Sequence, residues 1–187
     1  MLYRLLPWDP AVEASAPGGA LFNPRAQQGR ERRGRHDNPD LYGALYTARV
    51  EVSAVAEWLV AFRGQSLAAD DFVRTDGRSW ALVGLDDSGL PEIVDLDHPD
   101  ELAARGLRPS RIATRMRATT QDVARSVFEE GVPGFGWWST LEASWPNVTL
   151  FAERAIDALR VADGPREISI ADPAVRAAAA AIGVILS

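Results

Sequence analysis

Few side chains in this sequence can carry covalent or acid–base chemistry. It contains no Cys and no Lys, which excludes disulfides, thiolate nucleophiles, a phosphate-loop lysine and a Schiff base. Its two histidines, His36 and His98, lie in no metal-ligand spacing, so no metal site is expected, and a Ser-His-Asp triad would have to use one of them. There is no G-x-S-x-G elbow, and the glycines of Gly131-Val-Pro-Gly134-Phe-Gly136 lack the order of a dinucleotide fingerprint. Carboxylate, hydroxyl, arginine and aromatic groups remain. A carboxylate can stabilise a developing cation, and a planar guanidinium can hold phosphate oxygens bidentately. Arginines gather in one stretch, where Arg25, Arg30, Arg32, Arg33 and Arg35 accompany one acid, Glu31, and two glycines. That stretch reads as a loop, either simply solvated or suited to a polyanion such as a pyrophosphate.

The elements that would position such groups follow an α+β order. Leu2 to Leu6 reads as a strand, followed by a polar, Gly/Pro-rich connection from Pro7 to Pro39. Tyr42 to Ala48 reads as a strand and Ser53 to Arg63 as a helix, with Ser53 as its N-cap and Gly64 beyond its end. Ala81 to Leu85 and Glu92 to Leu96 are apolar runs around the turn Asp86-Asp87-Ser88-Gly89, which predicts a hairpin. Short helices are expected over Pro99 to Gly106 and Thr119 to Glu130. Strands follow at Asn147 to Ala152 and Glu167 to Ile170, with a last helix from Asp172. No repeat or long linker divides the chain, and 187 residues with 47% hydrophobic content suffice for one core, so one domain over residues 1–187 is expected.

The net charge of −6 argues against direct binding of nucleic acid. No run reaches the roughly 20 apolar residues needed to span a bilayer. Met1 to Pro10 lacks the long apolar stretch of a secretion signal, which points to the cytoplasm. Oligomeric state is not legible.

The run Gly34-Arg35-His36-Asp37-Asn38-Pro39-Asp40-Leu41-Tyr42-Gly43-Ala44-Leu45-Tyr46-Thr47-Ala48, with Ser53-Ala54-Val55-Ala56-Glu57 after it, resembles the RES domain family, named for an Arg, a Glu and a Ser. The resemblance begins at Leu2-Tyr3-Arg4 and weakens after Phe151. Its most specific part is a spacing: an Arg in a Gly-Arg loop, a Tyr eleven residues on and a Glu eleven after that, matched by Arg35, Tyr46 and Glu57. The resemblance implies a single domain with an ADP-ribosyltransferase-like mixed β core and flanking helices. It also implies NAD as substrate, degraded by hydrolysis or phosphorolysis, with phosphate as a co-substrate in the second case and no further cofactor.

The chemistry makes these residue types intelligible. Cleaving the nicotinamide–ribose bond develops positive charge on the ribose, which a nearby carboxylate stabilises, and the nicotinamide departs neutral without a general acid. Glu57 is the candidate carboxylate. Tyr46 could stack on the nicotinamide or ribose, and Arg35 and Arg4 could hold the pyrophosphate. Against these roles stand plainer ones: a surface Glu on a helix, a core Tyr in a strand, and one Arg alternating in a strand.

The Ser departs from the family pattern. Where members place a hydroxyl before a mid-chain helix, this sequence has Arg117-Ala118-Thr119-Thr120-Gln121-Asp122. A second family Ser is matched by Ser139 in Trp138-Ser139-Thr140, ahead of Trp145-Pro146-Asn147-Val148-Thr149-Leu150-Phe151. Ser139 is therefore the candidate catalytic hydroxyl, with Thr119 or Thr120 as alternatives that could equally be helix caps. His36 stands where many members have Trp. Three functions are compatible with this pattern: NAD glycohydrolase or NAD phosphorylase activity that depletes cellular NAD, transfer of ADP-ribose to a protein, and noncatalytic nucleotide or partner binding. The resemblance further implies a toxin paired with an antitoxin that carries a helix-turn-helix DNA-binding domain.

Overall fold

The structure is a computed structural model that describes residues 1–23 and 34–187. Arg25, Arg30, Arg32 and Arg33 of the arginine-rich stretch lie outside the described residues.

Among the described residues, seven strands form one mixed sheet. In chain order they are β1 (Leu2–Trp8), β2 (Ala44–Ala48), β4 (Ser79–Asp86), β5 (Val94–Asp95), β6 (Gly134–Trp138), β7 (Pro146–Phe151) and β8 (Arg160–Glu167), arranged β5-β6-β7-β2-β1-β4-β8. The β5–β6 pair is parallel and the others are antiparallel. A separate parallel pair joins β3 (Ser66–Leu67) to β9 (Ile185–Leu186). Six α-helices accompany the strands among the described residues: α1 (Glu51–Leu59), α2 (Pro99–Ala104), α3 (Pro109–Ile112), α4 (Arg117–Glu129), α5 (Ala152–Ala155) and α6 (Pro173–Ile182). The expected α+β class, with a mixed β core and flanking helices, is what the chain adopts.

Alternation along the strands sends side chains to two faces. Leu2, Leu6, Leu45, Val83, Leu85, Val148 and Leu150 pack on one face with Ala155 and Leu159. The other face is covered by two separate helical blocks. Over β1 and β4, α1 and α6 pack through Val55, Ala56 and Leu59 against Ala174, Val175, Ala178 and Ala179. The alanines of α6 let the two helices approach closely. Over β6, α4 packs Val123, Ala124 and Val127 on Phe135 and Trp137. Between the blocks, among the described residues, Tyr46 of β2 and Asn147 of β7 line an open cleft.

Three expectations are corrected. The Asp86–Gly89 turn does not make a hairpin: β4 already has β1 and β8 on its two edges, and Val94 and Asp95 instead pair with Phe135 and Gly136 at the far side of the sheet. The strand expected at Glu167–Ile170 lies upstream, in Arg160–Glu167, where the Asp163-Gly164-Pro165 segment forms part of an edge strand with register shifts against β4. Helix α1 starts at Glu51 with Val50 at its N-cap and no side-chain cap, so Ser53 is not the cap. Strand β6 is hidden in the sequence by Gly134 and Gly136, which read as a turn. A Cβ at Gly134 would lie 2.5 Å from the Thr149 carbonyl oxygen, so the close pairing with β7 requires glycine.

Helix α6 begins as the sequence predicts. The Asp172 side chain accepts a 2.8 Å bond from the Ala174 amide, Pro173 follows it, and Gly183 ends the helix at φ 75°. Asp172 also pairs with Arg166. Asp172→Ala is therefore expected to cost about 1–2 kcal/mol and to lower Tm by roughly 2–8 °C, read by thermal unfolding; an unchanged Tm would show that the cap contributes nothing.

Candidate functional site

The loop Gly34–Asn38 reaches the open cleft and is tied down on both sides. Toward β2, the Tyr46 hydroxyl donates to Asp37 Oδ1 at 2.7 Å and accepts from the His36 amide at 2.9 Å. Asp37 Oδ2 accepts from the Gly34 amide at 2.5 Å. A Cβ on Gly34 would collide with the Tyr46 hydroxyl and the Asp37 carboxylate, which explains glycine at this position. Toward α4, Gln121 Nε2 donates to the Gly34 carbonyl at 3.0 Å, and the Thr120 hydroxyl donates to the Arg35 carbonyl. Asn38 and Tyr42 complete the turn, with Asn38 Nδ2 on the Gln121 carbonyl and the Tyr42 hydroxyl on the His36 carbonyl.

This loop presents Arg35. Its Nη1 donates to the Thr114 carbonyl at 2.5 Å, its Nη2 to Thr140 Oγ1 at 3.1 Å, and its guanidinium lies 5.2 Å from the Trp137 ring centre. Burial lowers its pKa from the usual value, with Glu57 and Tyr46 opposing the shift and Arg115 and Arg117 adding to it. Burial and then the Asp37 carboxylate push the Tyr46 phenol well above its ordinary range, so it stays neutral.

Glu57 stands on the facing wall, on α1. Its Oε1 accepts from Ser139 Oγ at 2.8 Å and from Asn147 Nδ2 at 3.1 Å. Asn147 is oriented in turn by Ser53, whose hydroxyl donates to Asn147 Oδ1 at 2.7 Å. Ser53, Ser139 and Asn147 are each at most 2% exposed, whereas Glu57 is exposed. One carboxylate oxygen is thus fixed by buried donors, and Oε2 takes no hydrogen bond among the described residues.

Arg35, Tyr46, Glu57 and Thr120 line one cleft of about 550 Å³, a size that suits a small-molecule ligand. Ser139 is buried and does not line the cleft, which it reaches only through its hydrogen bond to Glu57. Thr120 holds the loop backbone, and Thr119 does not line the cleft. Arg4 is not brought to this site. It lies with Leu2 and Leu6 on the opposite face of the sheet, where it donates to the carbonyls of Ala20 and Phe22 at 2.6 and 2.8 Å. Burial lowers its pKa to about 10. Sequence spacing does not single out Asn147, Thr140, Arg115, Arg117, Trp58 or Trp80. Asn147 and Thr140 give no local signal, but the segment Arg111 to Arg117 holds three arginines and no acid, a second basic cluster. Trp58 and Trp80, with ring centres 5.2 Å apart, form an apolar wall at the α1 and β4 end of the cleft. Among the described residues, no group of three or more His, Asp or Glu is placed to hold a metal ion, and no helix is long and apolar enough to cross a membrane.

Comparison with known proteins identifies the family and the fold. The RES domain model matches residues 2–171, and the chain belongs to that family. A solved structure with the same fold is a chain of the crystal structure of the M. tuberculosis MbcT-MbcA toxin-antitoxin complex, at 17% identity and a TM-score of 0.57, covering 90% of this chain and 83% of that one. No curated protein matches the sequence. The family match extends past Phe151, where the sequence resemblance weakens, through the edge strand β8.

His36 lies beneath the cleft, 2% exposed, with Nδ1 2.8 Å from Thr149 Oγ1 and its ring edge-on to Phe135 and Trp137. Burial, then Arg35, lowers its pKa well below 6.5. The folded chain therefore resists a proton that the unfolded chain accepts. The corresponding stability is present above pH 6.5 and is lost as pH falls below it, at no more than about 1.4 kcal/mol per unit. Denaturant unfolding of the parent and of His36→Gln at pH 7.5 and 5.5 should show a smaller acid loss in the variant. Equal losses would mean that His36 takes a proton in the folded state.

Proposed function

We propose that the chain cleaves the nicotinamide–ribose bond of NAD in the cleft between α1 and α4, and that it serves as the toxin of a toxin–antitoxin pair acting on the cytoplasmic NAD pool. The observation that carries this reading is Glu57, a carboxylate held through one oxygen by Ser139 and Asn147 and facing a cleft lined by Tyr46 and Arg35. RES family membership supports it, since members of the family degrade NAD. The toxin role is supported by the structural neighbour, a chain of a toxin-antitoxin complex. A cognate antitoxin with a helix-turn-helix DNA-binding domain is part of the same proposal.

In the reaction, the bond from ribose C1′ to the pyridinium nitrogen breaks and its electron pair goes to the ring, so nicotinamide leaves neutral. The ribosyl cation is stabilised by Glu57, whose free Oε2 is available to a ribose hydroxyl. Water or phosphate then bonds to C1′. With water, the products are ADP-ribose, nicotinamide and a proton; with phosphate, the product is a 1-phosphorylated ADP-ribose. The neutral Tyr46 ring lies beside the cation as a face against the sugar or the pyridine. No group needs to protonate the leaving ring, which is consistent with a cleft without a histidine on its surface.

Chromatography of NAD incubated with the purified protein, with and without phosphate and without added metal, should show loss of NAD and release of nicotinamide. The second product separates hydrolysis from phosphorolysis. Glu57→Gln should lower kcat by about 10²–10³ with little change in NAD affinity, because its charge matters most as the cation forms. Intact NAD after prolonged incubation with the parent protein would overturn the proposed activity.

A further inference from the structure

The diphosphate of a dinucleotide needs cationic partners, and of the two arginines that the sequence points to, one is away from the cleft and the other already has both terminal nitrogens engaged by the protein. Arg4 is on the far face of the sheet. Arg35 donates from both terminal nitrogens to protein oxygens, at Thr114 and Thr140. Arg115 and Arg117 differ from both. They line the same cleft, and neither has a carboxylate or carbonyl partner among the described residues. Both are near enough to lower the proton affinity of Arg35, so three like charges share one cleft. The chain has 26 Asp and Glu against 20 Arg, yet among the described residues Glu57 is the one carboxylate lining this cleft, and it stands on α1, not on the segment that carries Arg115 and Arg117. An anion placed on the arginine side relieves the repulsion, and Glu57 discourages it from the other side.

We propose that Arg115 and Arg117 clamp the diphosphate of NAD and that Arg35 is a positioning residue that braces the segment carrying them. The proposal rests on the reading of the cleft as an NAD site. Thr114, whose carbonyl Arg35 holds, immediately precedes Arg115. Thr120, whose hydroxyl holds the Arg35 carbonyl, lies one helical turn after Arg117 and also reaches the Arg117 carbonyl at 3.2 Å. The loop and the basic segment are thereby locked together, which fixes where the two free guanidinium groups emerge. With the diphosphate on that side and the nicotinamide ribose at Glu57, the dinucleotide lies across the cleft in one direction. The ligand class is a nucleoside diphosphate diester, and a single phosphate monoester would gain only part of the clamp.

The test is calorimetric binding of ADP-ribose, which keeps the diphosphate but lacks the scissile bond, beside AMP as a monophosphate control. Arg115→Ala and Arg117→Ala should each weaken ADP-ribose about tenfold, the double variant more, and AMP should change less. On NAD the same variants should raise KM more than they lower kcat. Arg35→Ala should also weaken ADP-ribose, but much less so in the Arg115→Ala/Arg117→Ala background, a non-additivity that a merely structural role would not produce. Circular dichroism confirms folding in each case. ADP-ribose binding as tight to the double variant as to the parent overturns the clamp, even if NAD is cleaved. ADP-ribose binding lost in the double variant, with no NAD cleavage by the parent, keeps the clamp and overturns the cleavage reading. Failure of the parent to bind ADP-ribose overturns the clamp outright.

Discussion

The Asp37 carboxylate is the point on which the geometry of the site depends. Its two oxygens receive the Tyr46 hydroxyl and the Gly34 amide, which folds the loop back against the central strand β2. Once folded, the loop turns the carbonyls of Gly34 and Arg35 toward α4, where Gln121 and Thr120 satisfy them. A loop of polar backbone can lie against the sheet only because these groups are paired, since a buried unpaired donor or acceptor costs about 1–3 kcal/mol. The same closure leaves no room for a side chain at residue 34 and presents Arg35 to Thr114 and Thr140.

The cleft exists because two helical blocks share one face of the sheet without meeting over its centre. On the α1 side, the helix that builds the core through Val55, Ala56 and Leu59 also carries Ser53 and Glu57. Ser53 sits inside the packed interface and spends its hydroxyl on Asn147, which then donates to Glu57. Helix position and carboxylate orientation are therefore set by one chain of hydrogen bonds running from α1 to β7 and back. Ser139 adds a second donor from the end of β6. On the α4 side, apolar packing on Phe135 and Trp137 fixes the helix, and Arg115 before it with Arg117 at its start supplies the cationic wall. Packing thus decides the separation of the walls, and the polar networks decide what each wall presents.

Much of this is legible in the sequence because it is local. The Gly34-Arg35 phrase, Tyr46 in a strand and Glu57 on the following helix come together in one cleft, and the strand–helix unit that carries them follows hydrophobic periodicity. The cap of α6 is likewise readable from Asp172 and Pro173. What escapes depends on pairing across the chain. The far-edge placement of β5 cannot be read from a turn signal, because a turn does not say whether the neighbouring strand's edges are already taken. Glycines that permit close strand approach look like turn glycines, which hides β6. Arg4 sits on the wrong face for the cleft because a single charge in an apolar strand does not reveal its side until the register is known. Asn147 acts through partners 90 and 94 residues away, a distance at which sequence spacing carries no information.

On the proposed function, NAD occupies this cleft with its nicotinamide ribose against residue 57 and its diphosphate on the α4 side. A crystal structure of Glu57→Gln soaked with NAD tests this most directly, since that substitution should preserve binding while slowing cleavage. Intact dinucleotide is expected in the cleft, with a ribose hydroxyl in hydrogen-bond reach of the side chain at position 57 and phosphate oxygens on Arg115 and Arg117. Dinucleotide bound elsewhere on the molecule, or with its diphosphate against residue 57, would contradict it.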